Sequence, residues 1–184
     1  MMEVVTMFKF NIPKTAKPVT EGLFQGDNHN DKDPVFQEVV AAFKDKLGID
    51  LTHMCFIESK VPRNHDGDAK TDQADIIKYT GSWTKHNAIY INPQMEDAIK
   101  FYGLEGKATP EQFKKQAIAH ELAHEIYEYP LDDCLVASML KKAEDMRFDT
   151  AYLHHIDDDD PKEELFCEYM AYRLTGIWFK VPYV

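Results

Sequence analysis

The segment AIAHELAHEIYE, residues 117–128, holds His120 and His124 four residues apart, with Glu121 beside the first. On a helix, positions i and i+4 lie on one face, a turn apart. Two imidazoles placed this way can offer ring nitrogens to one ion at about 2 Å, the bond length zinc takes with histidine. Glu121 stands where a carboxylate can take a proton from a water activated by that ion. The spacing therefore reads as two zinc ligands, His120 and His124, and a general base, Glu121. A buried helix face carrying two histidines and a glutamate would be costly without a metal or another partner. Ala117, Ala119 and Ala123 flank these residues and allow close packing.

Zinc needs a third protein ligand, and EELFCEYMAYRLTG, residues 163–176, supplies candidates. Glu164, Glu168 and Ala171 share a face at i, i+4 and i+7. Phe166, Tyr169, Met170 and Leu174 can provide core contacts. Glu164 lies 40 residues after His124, which leaves room for an intervening helix to fold back. One of the two carboxylates can bind zinc. The other can accept a hydrogen bond from the far nitrogen of a ligating histidine and fix its tautomer. Glu144 and Asp145, only 20 and 21 residues after His124, are more distant alternatives. One zinc per chain held this way leaves a position for water and for a polarised carbonyl. Tyr127, Tyr129, His154, His155 and Tyr172 are candidate donors to a developing oxyanion, and spacing does not choose among them.

These side chains need rigid carriers. Thr109-Pro110-Glu111-Gln112 is a strong helix start: Thr109 caps, Pro110 suits the first position and Gln112 completes a capping box. That helix runs through the histidines and ends before Pro130. A second helix is predicted from Asp132 or Asp133 to about Tyr152, and a third over about Lys162–Leu174, stopped by Gly176. DDDDP, residues 157–161, reads as the solvated break between them.

Upstream, Phe36, Val39, Val40, Phe43 and Leu47 recur at helical spacing and Gly48 follows as a stop. LTHMCFIES, residues 51–59, reads as a strand, as does a short run near Val4–Phe10. Residues 61–75 are a polar loop without the spacing of a calcium-binding loop. IIKYTGSW and NAIYINPQ read as two strands joined across Gly81–His86, followed by a short helix, Met95–Tyr102.

The whole chain bounds the function. Its 184 residues, 44% hydrophobic, suffice for one domain with a real core. A net charge of −11 repels phosphate backbones, so nucleic acid is not an expected partner. Three widely spaced cysteines, Cys55, Cys134 and Cys167, form no disulfide framework and point to a reducing compartment. The N-terminus lacks the pattern of a signal peptide, and no 18 apolar residues run together. A cytoplasmic protein with no membrane span is expected.

The combination of HELAH and a downstream glutamate helix resembles the gluzincin metallopeptidases. Glu164, Cys167, Glu168, Ala171, Leu174, Thr175 and Gly176 are similar to the glutamate helix of the integral-membrane heat-shock and CAAX-processing peptidases. HELAH, preceded by the strand NAIYINP, also resembles the soluble ImmA/IrrE-type domains. The metzincin branch does not fit, because EIYEYPL lacks its glycine and third histidine. Glu144 and Asp145 are similar in spacing to the ligand of thermolysin-like enzymes. The resemblance implies Glu164 as the zinc ligand and Glu168 as its supporting carboxylate, with glutamate standing where aspartate or asparagine is usual. It covers roughly residues 87–176.

The expected fold is α+β. It is a small zincin-like domain over 1–184, with a short mixed or antiparallel sheet packed on the HExxH helix and a helical C-terminal half. Its parts are an N-terminal strand and loop (1–33), a helix and strands (34–105), the HExxH helix (109–129) and the C-terminal helices (132–176). By analogy with that plan, residues 87–92 form the sheet edge on which a peptide adds as a further strand. The expected function is a soluble zinc metalloendopeptidase acting on a protein or peptide. A non-catalytic zinc-binding protein of gluzincin type is the alternative, and a metal-free helical domain is a third possibility.

Overall fold

In a computed structural model, the chain forms β1 (Asn28–His29), α1 (Pro34–Leu47), β2 (Cys55–Glu58), β3 (Ser82–Lys85), β4 (Ala88–Ile91), α2 (Met95–Phe101), α3 (Pro110–Glu128), α4 (Asp133–Asp145) and α5 (Pro161–Thr175). The structure describes residues 28–58, 82–85, 88–91, 93, 95–101, 103–128, 133–145 and 161–178. The strand predicted near Val4–Phe10 and the loop over 61–75 lie outside them.

The apolar stripe of α1 buries Phe36, Val39, Val40 and Phe43. Asp33 caps the helix, its carboxylate accepting from the backbone N–H groups of Val35 and Phe36 at 3.0 and 3.1 Å. Gly48 closes it at φ 70°, a left-handed conformation that glycine adopts without a Cβ penalty.

The sheet is mixed, in the order β1-β2-β4-β3. Strand β2 pairs antiparallel with β1 and parallel with β4, and β3 pairs antiparallel with β4. All four residues of β4 are buried. A strand covered on both faces reads as an unbroken apolar run, which is what AIYI is. Phe56, Ile89 and Ile91 join the main core with α1 and α3. Cys55, Ile57, Ala88 and Tyr90 form a separate cluster.

Three strand expectations need correction, the first being the strand read over residues 51–59, which is observed at Cys55–Glu58 after a turn closed by the Met54 N–H donating to the Leu51 carbonyl. Within the run 87–92, Ala88–Ile91 is not a sheet edge: β4 is hydrogen-bonded on both sides, to β2 and to β3. Among the described residues β3 borders the sheet on that side, and β1 on the other. The join predicted over Gly81–His86 is largely strand, because Ser82 to Lys85 pair with Ile91 to Ala88. Ser82 resembles a turn residue locally, and cross-strand pairing overrides that preference.

Helix α3 starts as predicted. The Thr109 N–H donates to Gln112 Oε1 at 3.1 Å, and the Gln112 N–H donates to Thr109 Oγ1 at 3.2 Å. It packs most extensively on α5, and also on α1, α2, β3 and β4. Ala119, Ala123 and Ala171 are fully buried, and their small side chains let α3 and α5 approach closely. Lys114 fixes the start of α3. Its ammonium bridges Asp33 at 2.6 Å and Glu58 at 3.3 Å and lies over the Phe56 ring. Helix α4 is described to Asp145, and the rest of its predicted span to Tyr152 falls outside. Helix α5 ends before Gly176, which takes φ 71°. The architecture is α+β. Among the described residues no helix is long and apolar enough to cross a membrane.

Candidate metal centre

Helix α3 brings His120, Glu121, His124 and Glu125 to its packed side, and α5 brings Glu163, Glu164 and Glu168 opposite them. Glu121 is 4% exposed, Glu164 7%, His120 8% and Glu168 8%. Ionisable groups buried this deeply require partners. The partners are one another.

His120 Nε2 and His124 Nε2 are 3.1 Å apart. Glu164 spans the pair, one oxygen 3.1 Å from His120 Nε2 and the other 3.4 Å from His124 Nε2. In a tetrahedral zinc site with bonds of about 2.0–2.1 Å, neighbouring ligand atoms stand about 3.3 Å apart. The spacings are of that size, with Glu164 turning one oxygen to each histidine, and one ligand atom from each of the three residues lies within 4.8 Å of the others.

The opposite ring nitrogens face other carboxylates. His124 Nδ1 lies 2.7 Å from Glu163 Oε1. His120 Nδ1 lies 3.0 Å from Glu168 Oε1, at an angle too bent for a well-aligned hydrogen bond. Gln116, one turn before His120, donates from Nε2 to Glu168 Oε2 at 2.9 Å and holds that carboxylate in place.

This arrangement tests whether a metal fits. Carboxylates beside Nδ1 keep the imidazole hydrogens there, and the Nε2 lone pairs then point at each other and at Glu164. Two Nε2 atoms 3.1 Å apart need a proton or a metal cation between them. Two nitrogens and a carboxylate are a donor set zinc accepts. His120, His124 and Glu164 fit the ion.

The electrostatics agree. Burial works against a charged His120, yet the Glu164 and Glu168 carboxylates outweigh it and hold the imidazole well above its usual range. Burial opposes the charge on His124 too, and contact with Glu163 overcomes it despite the neighbouring His120. Burial would raise Glu164, but the two histidines pull it below the ordinary carboxylate value. The site gathers positive charge. Cys167, also buried here, is pushed far up by burial and then by Glu164 and Glu163. It is a neutral thiol that fills space.

Of the residues predicted from sequence, His120, Glu121, His124, Glu164 and Glu168 are brought together. Tyr127 is half-buried against the Phe166 ring, with centroids 5.5 Å apart. Tyr172 packs against the Ala143–Tyr169 cluster and lies 6.2 Å from the Trp178 ring. Both have structural surroundings. Tyr129, His154 and His155 lie outside the described residues, as does the side chain of Glu144. Asp145 is exposed and outside the ligand group. Glu163 and Gln116 were not singled out in the sequence. Gln116 had a signal, since it precedes His120 by the same four residues that separate the histidines. Glu163 had only its place beside Glu164.

No protein-family model matches the chain, no curated protein does, and no solved structure does.

Proposed function

We propose that the chain is a zinc metallopeptidase of gluzincin type, with a zincin-like arrangement of sheet and HExxH helix. His120, His124 and Glu164 hold the ion, and Glu121 is the general base. One observation carries the reading: the two Nε2 atoms and the Glu164 carboxylate converge at 3.1–3.4 Å while Glu163 and Glu168 occupy the far ring nitrogens.

A bound zinc supplies Lewis acidity, lowering the pKa of water to about 7 and polarising a carbonyl. Glu121 takes the proton of the attacking water and passes it to the leaving amine. Glu163 and Glu168 hold the imidazoles in the tautomer that presents Nε2, and Gln116 steadies Glu168. The substrate is a protein or peptide segment in extended form. Strand β3 packs on α3 and borders the sheet among the described residues, so a substrate strand adds there, not on β4.

The test is elemental analysis of protein purified without added metal, joined to a peptide-library assay. One zinc per chain and turnover are expected. Glu121→Gln should keep the zinc and lose about 100-fold or more in kcat. Undiminished turnover in that variant would remove Glu121 as the base, and failure to take up zinc would remove the whole reading. A second reading, a non-catalytic zinc protein, is favoured by the depth of Glu121, only 4% exposed. Zinc without turnover on any peptide would select it.

A further inference from the structure

A second set of ligand-type side chains lies on other elements, where β1 leads into the loop before α1 and β2 begins. The segment 29–31 runs antiparallel past 57–55: His29 pairs with Ile57, and the Asn30 N–H donates to the Phe56 carbonyl at 2.8 Å. That register places Asp31 beside Cys55. One Asp31 oxygen accepts the Phe56 N–H at 2.7 Å, and the Asp31 carbonyl accepts from Gln37 Nε2 at 2.6 Å. The other carboxylate oxygen faces His29 Nε2 at 3.5 Å. An imidazole nitrogen, a carboxylate oxygen and the Cys55 sulfur all lie within 4.8 Å of one another. Cys55 is 8% exposed, whereas the His29 and Asp31 side chains are 38% and 40% exposed. A buried sulfur thus forms the floor and two solvent-facing donors form the rim.

We propose that His29, Asp31 and Cys55 form a second divalent-metal site, of the zinc type, separate from the His120–His124–Glu164 centre. A thiolate, an imidazole and a carboxylate together select zinc or its analogue cobalt and disfavour magnesium and calcium, which take oxygen ligands. Backbone hydrogen bonding already fixes Asp31, so little ordering is needed on binding. Burial and then Asp31 push the Cys55 thiol up to about 11, so the sulfur is protonated until a cation arrives. Binding forms the metal–sulfur bond and releases that proton to solvent. The ion joins the β1 segment to the start of β2 and so clips the sheet's first strand pair.

Cobalt(II) titration of the full chain tests this, because a thiolate-to-cobalt charge-transfer band reports sulfur ligation alone. The centre on α3 and α5 has no thiolate ligand and is silent in that band. The expected result is a saturable band that zinc bleaches and magnesium does not. It should vanish in Cys55→Ser, persist in Cys134→Ser and Cys167→Ala, and require at least about tenfold more cobalt in His29→Ala. His29 is at the surface, so that variant keeps the fold, and far-ultraviolet circular dichroism checks the others. A folded wild-type chain with no band overturns the proposal, as does a band that survives Cys55→Ser. A band lost in Cys167→Ala also overturns it, by moving the thiolate to α5.

Discussion

Each histidine of the centre faces its own carboxylate, His124 hydrogen-bonded to Glu163 and His120 beside Glu168, while Glu164 faces both. Three glutamates of one helix therefore do different work. Glu164→Ala should lose most of the zinc. Glu163→Gln and Glu168→Gln should each weaken zinc by about 10–100-fold, read by competition with a chelator of known affinity. Equal losses in all three variants would leave Glu164 with no special role. pH acts on the same groups. Folding raises the His120 pKa above its ordinary 6.5, so in metal-free protein this histidine stabilises the fold fully below pH 6.5. That contribution fades as pH rises through the folded value. Glu164 is lowered from 4.5, so its contribution is present above pH 4.5 and is lost as pH falls through its folded value. Bound as proposed, zinc would have to displace protons from both imidazoles. Its affinity should accordingly climb with pH through and beyond 6.5, measured by calorimetric titration at several pH values. A flat profile would take the imidazoles out of the ligand set.

At the scale of elements, local chemistry was legible and pairing was not. Thr109, Pro110 and Gln112 announce the start of α3 because a capping box is satisfied within four residues. Thr109→Ala should cost about 1 kcal/mol in denaturant unfolding and leave zinc affinity unchanged. The HELAH spacing is equally local. The position of β4 inside the sheet depends on β2, which ends 30 residues earlier, and no short window contains that partnership. Glu163 was hidden for a related reason. Whether it or Glu164 meets the histidines depends on the rotation of α5, and Phe166, Cys167, Met170 and Ala171 set that rotation by packing into the core. The rotation gives Glu164 both Nε2 atoms and turns Glu163 onto the far side of His124.

For the molecule as a whole, α3 is the hub: it packs against α1, α2, α5 and the sheet, and one continuous core runs through it. On the proposed reading, a metal held between α3 and α5 would bind only the folded chain and so add to global stability. Zinc at about 1,000 times its Kd should contribute about 4 kcal/mol, and a chelator should lower the melting temperature accordingly. An unchanged melting curve would mean that the ion does not bridge the two helices.

The separation of 40 positions from His124 to Glu164 has a consequence for synthesis on the ribosome. The two histidines leave the exit tunnel well before the carboxylate that completes their site. At about 5–20 residues per second, that interval lasts a few seconds. During it the nascent HELAH segment offers only a bidentate, weak and unselective grip to passing copper, nickel or zinc. If the site takes zinc as proposed, discrimination between metals must follow the docking of α5 onto α3, which makes loading with the correct ion a late event in the maturation of each new molecule.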